Sequence, residues 1–235
     1  MNLRGAATRV VLLAALSLVG CGAMRDQAVR PVVPVGSTQS AAELFADLES
    51  RLLDAGSLEF AYEITAEGAF SAALSGSFMA WGERADIAAR GTFGGAPVVL
   101  QLTADAKQMS GGNAERTFRV PRTQELRPAL VIGLTRMGLL HNLARLTAAA
   151  PPDRAEGGVR EWVEVRDVAK SSEVDDARDI GLTFSIHVSG QRAGRATLVL
   201  DRTTGLPHTR RQQVAFPGGT MNVVERYRFT PRGSH

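Results

Sequence analysis

The chain has 235 residues, of which 44% are hydrophobic, 22% charged and 6% aromatic, a composition that argues for a buried core and against global disorder. The net charge is +3, but Arg4 and Arg9 fall in the first twenty residues, which hold no acid, so the remaining residues carry +1. A near-neutral body is a poor match to sequence-independent nucleic-acid binding, which needs concentrated positive charge. The one cysteine, Cys21, has no second thiol with which to form a disulfide, redox pair or thiolate metal site.

Arg4 and Arg9 precede an apolar run from Val10 to Val19. A run of ten cannot cross a hydrocarbon layer of about 30 Å, for which a helix needs about 20 residues. Charge, length and small residues together predict a secretory signal over residues 1–20. Its end, Leu18-Val19-Gly20-Cys21, resembles the lipobox of bacterial lipoproteins. That resemblance implies cleavage before Cys21 and acylation of the new N-terminus, so that three acyl chains on Cys21 hold the protein to a membrane. The alternative is an ordinary signal peptide with a chance cysteine. Gly22 stands where related lipoproteins kept at the inner membrane carry aspartate. The resemblance therefore implies the periplasmic face of the outer membrane, with the inner membrane less favoured. Residues 21–39 show no helical or strand period and contain Pro31, Pro34 and Gly36. They read as a tether reaching about 60 Å when extended.

Residues 40–230 read as a single folded domain. Ser40-Ala41-Ala42-Glu43 is a capping box, and Leu44, Leu48 and Leu52 follow at helical spacing with Phe45 and Leu53, up to Gly56. Strict alternation comes next: Leu58, Phe60, Tyr62 and Ile64, then Phe70 to Phe78, then Ala85 to Phe93, then Val98, Leu100 and Leu102. Turn signals at Glu67-Gly68, Trp81-Gly82-Glu83 and Gly94-Gly95 separate these runs, which predict antiparallel strands with one apolar face.

A second helical stretch runs from Thr123 to about Ala150, before Pro151-Pro152. Its apolar surface is broad and includes Leu126, Leu130, Leu134, Met137, Leu140 and Leu143. Arg127, Thr135, Gly138, His141, Asn142 and Arg145 make one narrow polar stripe, and Arg136 stands alone on the opposite side. Gly133 and Gly138 are candidate breaks. Strands resume with "REWVEVRDV", Leu182 to Val188 and Ala196 to Leu200, the first two separated by an acidic loop at 173–179. A two-residue Gly218-Gly219 turn would pair Phe216 with Met221, Val214 with Val223, Gln212 with Glu225 and Arg210 with Tyr227. That register puts Arg210, Gln212 and Glu225 on an apolar face. Such a cluster is either an internal structural pairing or the rim of a cavity.

The predicted fold class is α+β: a curved antiparallel sheet, an unclosed half-barrel, with an N-terminal helix and a helical lid on the concave face. That order of elements behind a lipobox resembles the LolA/LolB-like lipoprotein-carrier superfamily. The resemblance is carried by "VVLQLTADAKQMSGG" (98–112) and by "LVLDRTTGLPHTRRQQVAFPGGTMNVVERYRF" (198–229), and it spans roughly residues 40–229. It implies a hydrophobic cavity beneath the lid and, as ligand, an acyl chain or the acyl chain of a lipoprotein. Receptor-type members carry a bulky apolar residue on a protruding loop, and Gly94-Gly95-Ala96-Pro97 has none. Leu130, Leu134, Arg136, Met137, Leu140, Arg210 and Glu225 are the candidate ligand-binding residues, with Arg136 expected to meet a ligand headgroup or a carboxylate such as Glu225 at the cavity rim. In the competing reading the broad apolar helix fills the half-barrel as ordinary core, and the protein is an envelope scaffold or sensor that binds another protein.

His141, His187, His208 and His235 are scattered. No nucleophile elbow, phosphate loop, zinc-helix motif or calcium-loop spacing occurs. The sequence therefore predicts no catalytic residue, metal site, cofactor or nucleic-acid partner. The terminal Arg232-Gly233-Ser234-His235 resembles a tag remnant, the alternative being a natural segment.

Overall fold

The computed structural model describes residues 39–152, 158–174, 177–216 and 218–230. The expected signal segment, Cys21 and nearly all of the tether lie outside the described residues, as does the terminal RGSH. Helix α1 (Ala41–Asp54) starts at its capping box. Ser40 Oγ accepts from the Glu43 N–H at 3.2 Å, and Glu43 Oε2 accepts from the Ser40 N–H at 2.8 Å. Leu44, Phe45, Leu48 and Leu52 form its buried face. The chain leaves the helix at Ala55, in extended conformation, one residue before the glycine expected to close it. The carbonyls exposed there are capped from far along the chain. Arg127 donates to Leu53 O at 2.9 Å and Leu52 O at 3.2 Å, and also to Ala55 O.

Strands β1 (Ser57–Gly68), β2 (Ala72–Trp81), β3 (Arg84–Phe93) and β4 (Ala96–Ala104) form an antiparallel meander. Phe60, Tyr62, Phe78, Ile87 and Leu100 point to one face and are fully buried. Gly94 and Gly95 adopt φ of 61° and 81°, so the two glycines form the tight turn with positive φ that suits the twist of a hairpin. Phe70, expected to begin the second strand, lies in the connection before it. Two further strands, β5 (Gln108–Asn113) and β6 (Thr117–Pro121), precede the helices, so six strands stand where four were expected.

The helical stretch is broken as well. Helix α2 (Leu126–Ile132) runs into a π-helical turn (Gly133–Met137), Gly138 breaks the chain at φ 88°, and α3 (Leu139–Thr147) follows. A single helical turn, α4 (Val159–Trp162), occupies the start of "REWVEVRDV", which alternation alone had assigned to a strand. Val159 is buried there and the Trp162 ring packs 5.2 Å from that of His141, contacts that outweigh strand propensity. Strands β7 (Val163–Ser171), β8 (Asp179–Val188), β9 (Gln191–Asp201), β10 (Pro207–Phe216) and β11 (Gly219–Phe229) complete the sheet.

All eleven strands form one curved, unclosed antiparallel sheet in the order β6-β5-β4-β3-β2-β1-β11-β10-β9-β8-β7. The first and last strands pair at its centre, with Tyr62 opposite Tyr227. The helices lie on the concave face: Phe45 of α1 meets Phe184 edge-on, ring centroids 5.0 Å apart. The final hairpin is offset by two residues from the expected register. Phe216 pairs with Gly219, Val214 with Met221, Gln212 with Val223 and Arg210 with Glu225. Gly219 therefore joins the strand instead of the turn. An offset of two leaves every side chain on its expected face.

Both edges are unsuited to adding a strand. β6 has five residues and ends in Pro121. β7 is bulged between Arg166 and Ala169, with Asp167 at φ 56°, and carries Glu164 and Arg166 paired at 2.6 Å. The curl depends on close backbone approach at Gly76. A Cβ there would lie 1.8 Å from Ala88 O and 2.7 Å from the Tyr62 hydroxyl, which itself donates to Ala88 O at 2.8 Å. Gly76→Ala should therefore push β2 off β3 and cost about 2 kcal/mol or more, read as a lower urea midpoint. An unchanged midpoint would show that this approach is not needed.

Candidate functional site

The concave face carries a fully buried polar cluster under the break in the lid. Arg210 on β10 and Glu225 on β11 are cross-strand neighbours with no solvent exposure. Glu225 accepts from the N–H groups of Leu139 at 2.8 Å and Leu140 at 2.9 Å, and from the Tyr227 hydroxyl. The N-cap of α3 is Gly138, which has no side chain to offer, so a sheet carboxylate does the capping. Arg210 donates to the carbonyls of Thr135 and Arg136, both at 2.6 Å, and to Gln212 Oε1 at 2.9 and 3.0 Å. The guanidinium thus satisfies the carbonyl end of the π turn while the carboxylate satisfies the amide end of α3. Each charge complements the local dipole.

Gly138 is required between them. Its φ of 88° disfavours any side chain, and a Cβ would lie 2.8 Å from Glu225 Oε1 and 3.2 Å from Arg210 Nε. Burial pushes the Arg210 pKa down, opposed by the nearby Tyr227 and Glu225. Tyr227 is held well above the usual phenol range by burial first and by the charge of Glu225 second. Tyr62 is raised for the same two reasons in the same order.

Arg136 belongs to a second cluster. It pairs with Glu49 of α1 through two 2.7 Å bonds, donates to Val163 O at 2.7 Å and to Arg160 O at 3.1 Å, and shares Glu49 with the Thr135 hydroxyl. Its carboxylate is therefore Glu49 and not Glu225, because the π turn aims it at α1. The expected polar stripe is likewise mostly internal: Thr135 and Asn142 are buried, and Arg127 caps α1.

Of the residues expected to touch a ligand, Leu130 and Leu134 sit in the closed core beneath α2 and the π turn. Arg136, Arg210 and Glu225 are engaged as just described. Met137 and Leu140 reach a cavity of ≈510 Å³ between α3 and the sheet. Met137, Leu140, His141 and Ala144 line it from the lid side. Ile186, Val214 and Met221 line it from β8, β10 and β11. Phe70 and Phe93, with ring centroids 4.6 Å apart, flank it where the strands turn. Gln212 and His141 are its principal polar side chains. The sequence marked Phe70, Phe93, Ile186 and Val214 only as inward residues of strands. Nothing local to Ala144 or Met221 distinguishes a cavity wall from core.

Among the described residues, no group of three or more His, Cys, Asp or Glu could hold a metal ion, and no helix is long and apolar enough to cross a membrane. No protein-family model and no curated protein sequence matches the chain. Among solved structures, the chain is similar to a LolA-superfamily protein of Nitrosomonas europaea, at 8% identity and a TM-score of 0.34, over 84% of this chain and 96% of that one. It is also similar to LprF of Mycobacterium bovis, at 10% identity and a TM-score of 0.37, over 83% and 94% of the respective chains.

Glu225→Ala should strand two amide N–H groups and leave the Arg210 charge buried without its acid neighbour, costing about 3–5 kcal/mol by denaturant unfolding. A loss below about 1 kcal/mol would mean water replaces the carboxylate without difficulty. The two tyrosines, the only ones in the chain, are both raised in the folded state. Their contribution to stability is complete below the unfolded phenol pKa of about 10 and is lost as pH climbs above it. Phenolate absorbance should therefore stay flat through pH 10 and rise only with unfolding. A separate phenolate step in the folded protein near pH 10 would contradict this burial.

Proposed function

We propose that the protein is a non-enzymatic, membrane-anchored lipoprotein that holds an acyl chain or another hydrophobic ligand between α3 and the sheet. The observation that carries this reading is the ≈510 Å³ cavity, walled by Met137, Leu140, Ala144, Ile186, Val214, Met221 and the two phenylalanines. Its size falls in the range of about 300–1,000 Å³ that suits small ligands. The walls favour an apolar body, stabilised by about 0.8 kcal/mol per methylene removed from water. Gln212 and His141 leave room for one polar end. In this reading Cys21 carries the acyl chains that fix the protein to the periplasmic face of the outer membrane. The tether lets the half-barrel stand clear of the lipid.

A second reading, an envelope scaffold or sensor, draws support from the part of the half-barrel that is already full. Leu130, Leu134, Leu139, Leu143 and Leu146 occupy it with essentially no exposure. Titration of delipidated protein with a fluorescent fatty-acid analogue separates the two. Saturable one-to-one binding is expected. Ala144→Trp, which fills space equal to roughly two methylenes or more, should weaken it about tenfold with the melting temperature retained. If no analogue binds and no lipid accompanies the purified protein in native mass spectrometry, the ligand reading fails and the scaffold reading stands. Labelled palmitate should be incorporated by the parent chain and not by Cys21→Ala.

A further inference from the structure

Inward positions of β9–β11 face the lid, and the alternate positions face outward on the convex side. From Arg195 to Val199 on β9, Thr209 to Ala215 on β10 and Thr220 to Arg228 on β11, the outward positions hold Arg195, Arg211, Arg226 and Arg228, with no aspartate or glutamate. All four arginines are exposed. Thr197 lies opposite Arg211, Thr209 lies opposite Arg226, and Arg195 lies opposite Gln213, so the arginines run diagonally across three adjacent strands. At strand spacings near 4.8 Å and a two-residue repeat near 6.8 Å, the patch measures about 10 by 20 Å.

The acids beside it are Glu59, Glu63 and Glu67, outward on the neighbouring strand β1, with Glu59 opposite Thr230 and two residues along from the position that faces Arg228. Glu63 is taken by Arg228 at 2.6 Å and also stands opposite Arg226, and Glu67 stands opposite Asn222. Arg195 reaches only the Thr183 hydroxyl, at 3.4 Å, and Arg211 has no ion-pair partner among the described residues. Arg228 is paired, whereas Arg195, Arg211 and Arg226 have no ion pair among the described residues and repel one another across the sheet face. Such an arrangement is stabilised by an external anion, and the planar guanidinium fork matches phosphate in particular.

We propose that the convex face of β9–β11 is a docking surface for an anionic phospholipid bilayer. The charge of the face and its choice of arginine point to phosphate. The choice of a bilayer as its bearer rests on the anchored-lipoprotein reading, in which a tether of about 60 Å keeps the domain beside a lipid surface. Acyl anchoring and this face then act together, as a basic patch does beside a lipid chain. Docked on its convex side, the domain keeps the lid and cavity turned away from the bilayer.

The test compares the full chain with its Arg195→Gln/Arg211→Gln/Arg226→Gln variant, each titrated with phosphatidylglycerol vesicles and with phosphatidylcholine vesicles. The N-terminal segment contributes equally to both proteins, so the change in the ratio of the two affinities reads the face alone. The parent should prefer phosphatidylglycerol. At about fivefold per arginine, the triple variant should lose on the order of a hundredfold of that preference. In the parent, raising salt from about 50 mM to about 500 mM should abolish the part that the variant lacks. This salt titration stands whether or not the variant folds. A parent without preference, a variant that keeps it, or a preference indifferent to salt each overturns the proposal. Binding to polyglutamate but not to vesicles would assign the face to an acidic protein and overturn it equally. Failure of fatty-acid binding would leave these outcomes untouched, because the cavity lies on the other side of the sheet.

Discussion

The break in the helical lid exposes two helix ends inside the protein, and Arg210 and Glu225 resolve them together. A buried helix terminus with unpaired carbonyls or amides is costly, and a buried charge without partners more so. Placing a guanidinium at the carbonyl end and a carboxylate at the amide end, from adjacent positions on paired strands, answers both costs at once. Gly138 supplies the positive φ and the absence of a side chain that bring the two ends this close to the sheet. The orientation of α3, and with it the cavity wall made by Leu140 and Ala144, follows from that arrangement.

Arginine takes the same part elsewhere. Arg127 closes α1 by binding three carbonyls, and Arg136 joins α1, the π turn and the start of β7 through Glu49, Arg160 O and Val163 O. Each uses several donors of one rigid fork, which a lysine could not do. Helices α1, α2 and the lid are thereby held to one another by cations that face carbonyls rather than solvent. The arginines of the convex face are chemically identical and meet water instead. Strand alternation alone separates Arg210, fully enclosed, from Arg211, exposed.

Much of the architecture was legible from local pattern. The capping box at Ser40 and the alternation in β1–β4, β8 and β9 each depend on neighbours in sequence, and each is present. The face shared by Arg210, Gln212 and Glu225 was legible too, although the hairpin register was off by two residues, because the side-chain period of two preserves the face through such an offset. Less legible were β6, only five residues long, and α4, a single turn whose residues alternate as a strand does. The π turn left no local mark beyond Gly133, where a Cβ would collide with the Asn142 side chain. Near-neutral overall charge likewise concealed a one-signed face, since a total says nothing of which side of a sheet each charge occupies.

The sequence by itself determined the N-terminal helix, most of the alternating strands, the apolar face of the sheet, the two glycines able to interrupt the lid and the face shared by Arg210, Gln212 and Glu225. Those follow from periodicity and from backbone conformations that act over a few residues. Only the tertiary structure decided that Arg136 meets Glu49 rather than Glu225, that Leu130 and Leu134 are closed core, and that Met137 and Leu140 look into a cavity instead. Whether an apolar side chain borders empty space or another side chain depends on how far α3 stands from β8, β10 and β11. That distance is set by contacts between residues 70 to 90 positions apart, such as Leu139 and Leu140 with Glu225, which no local pattern records.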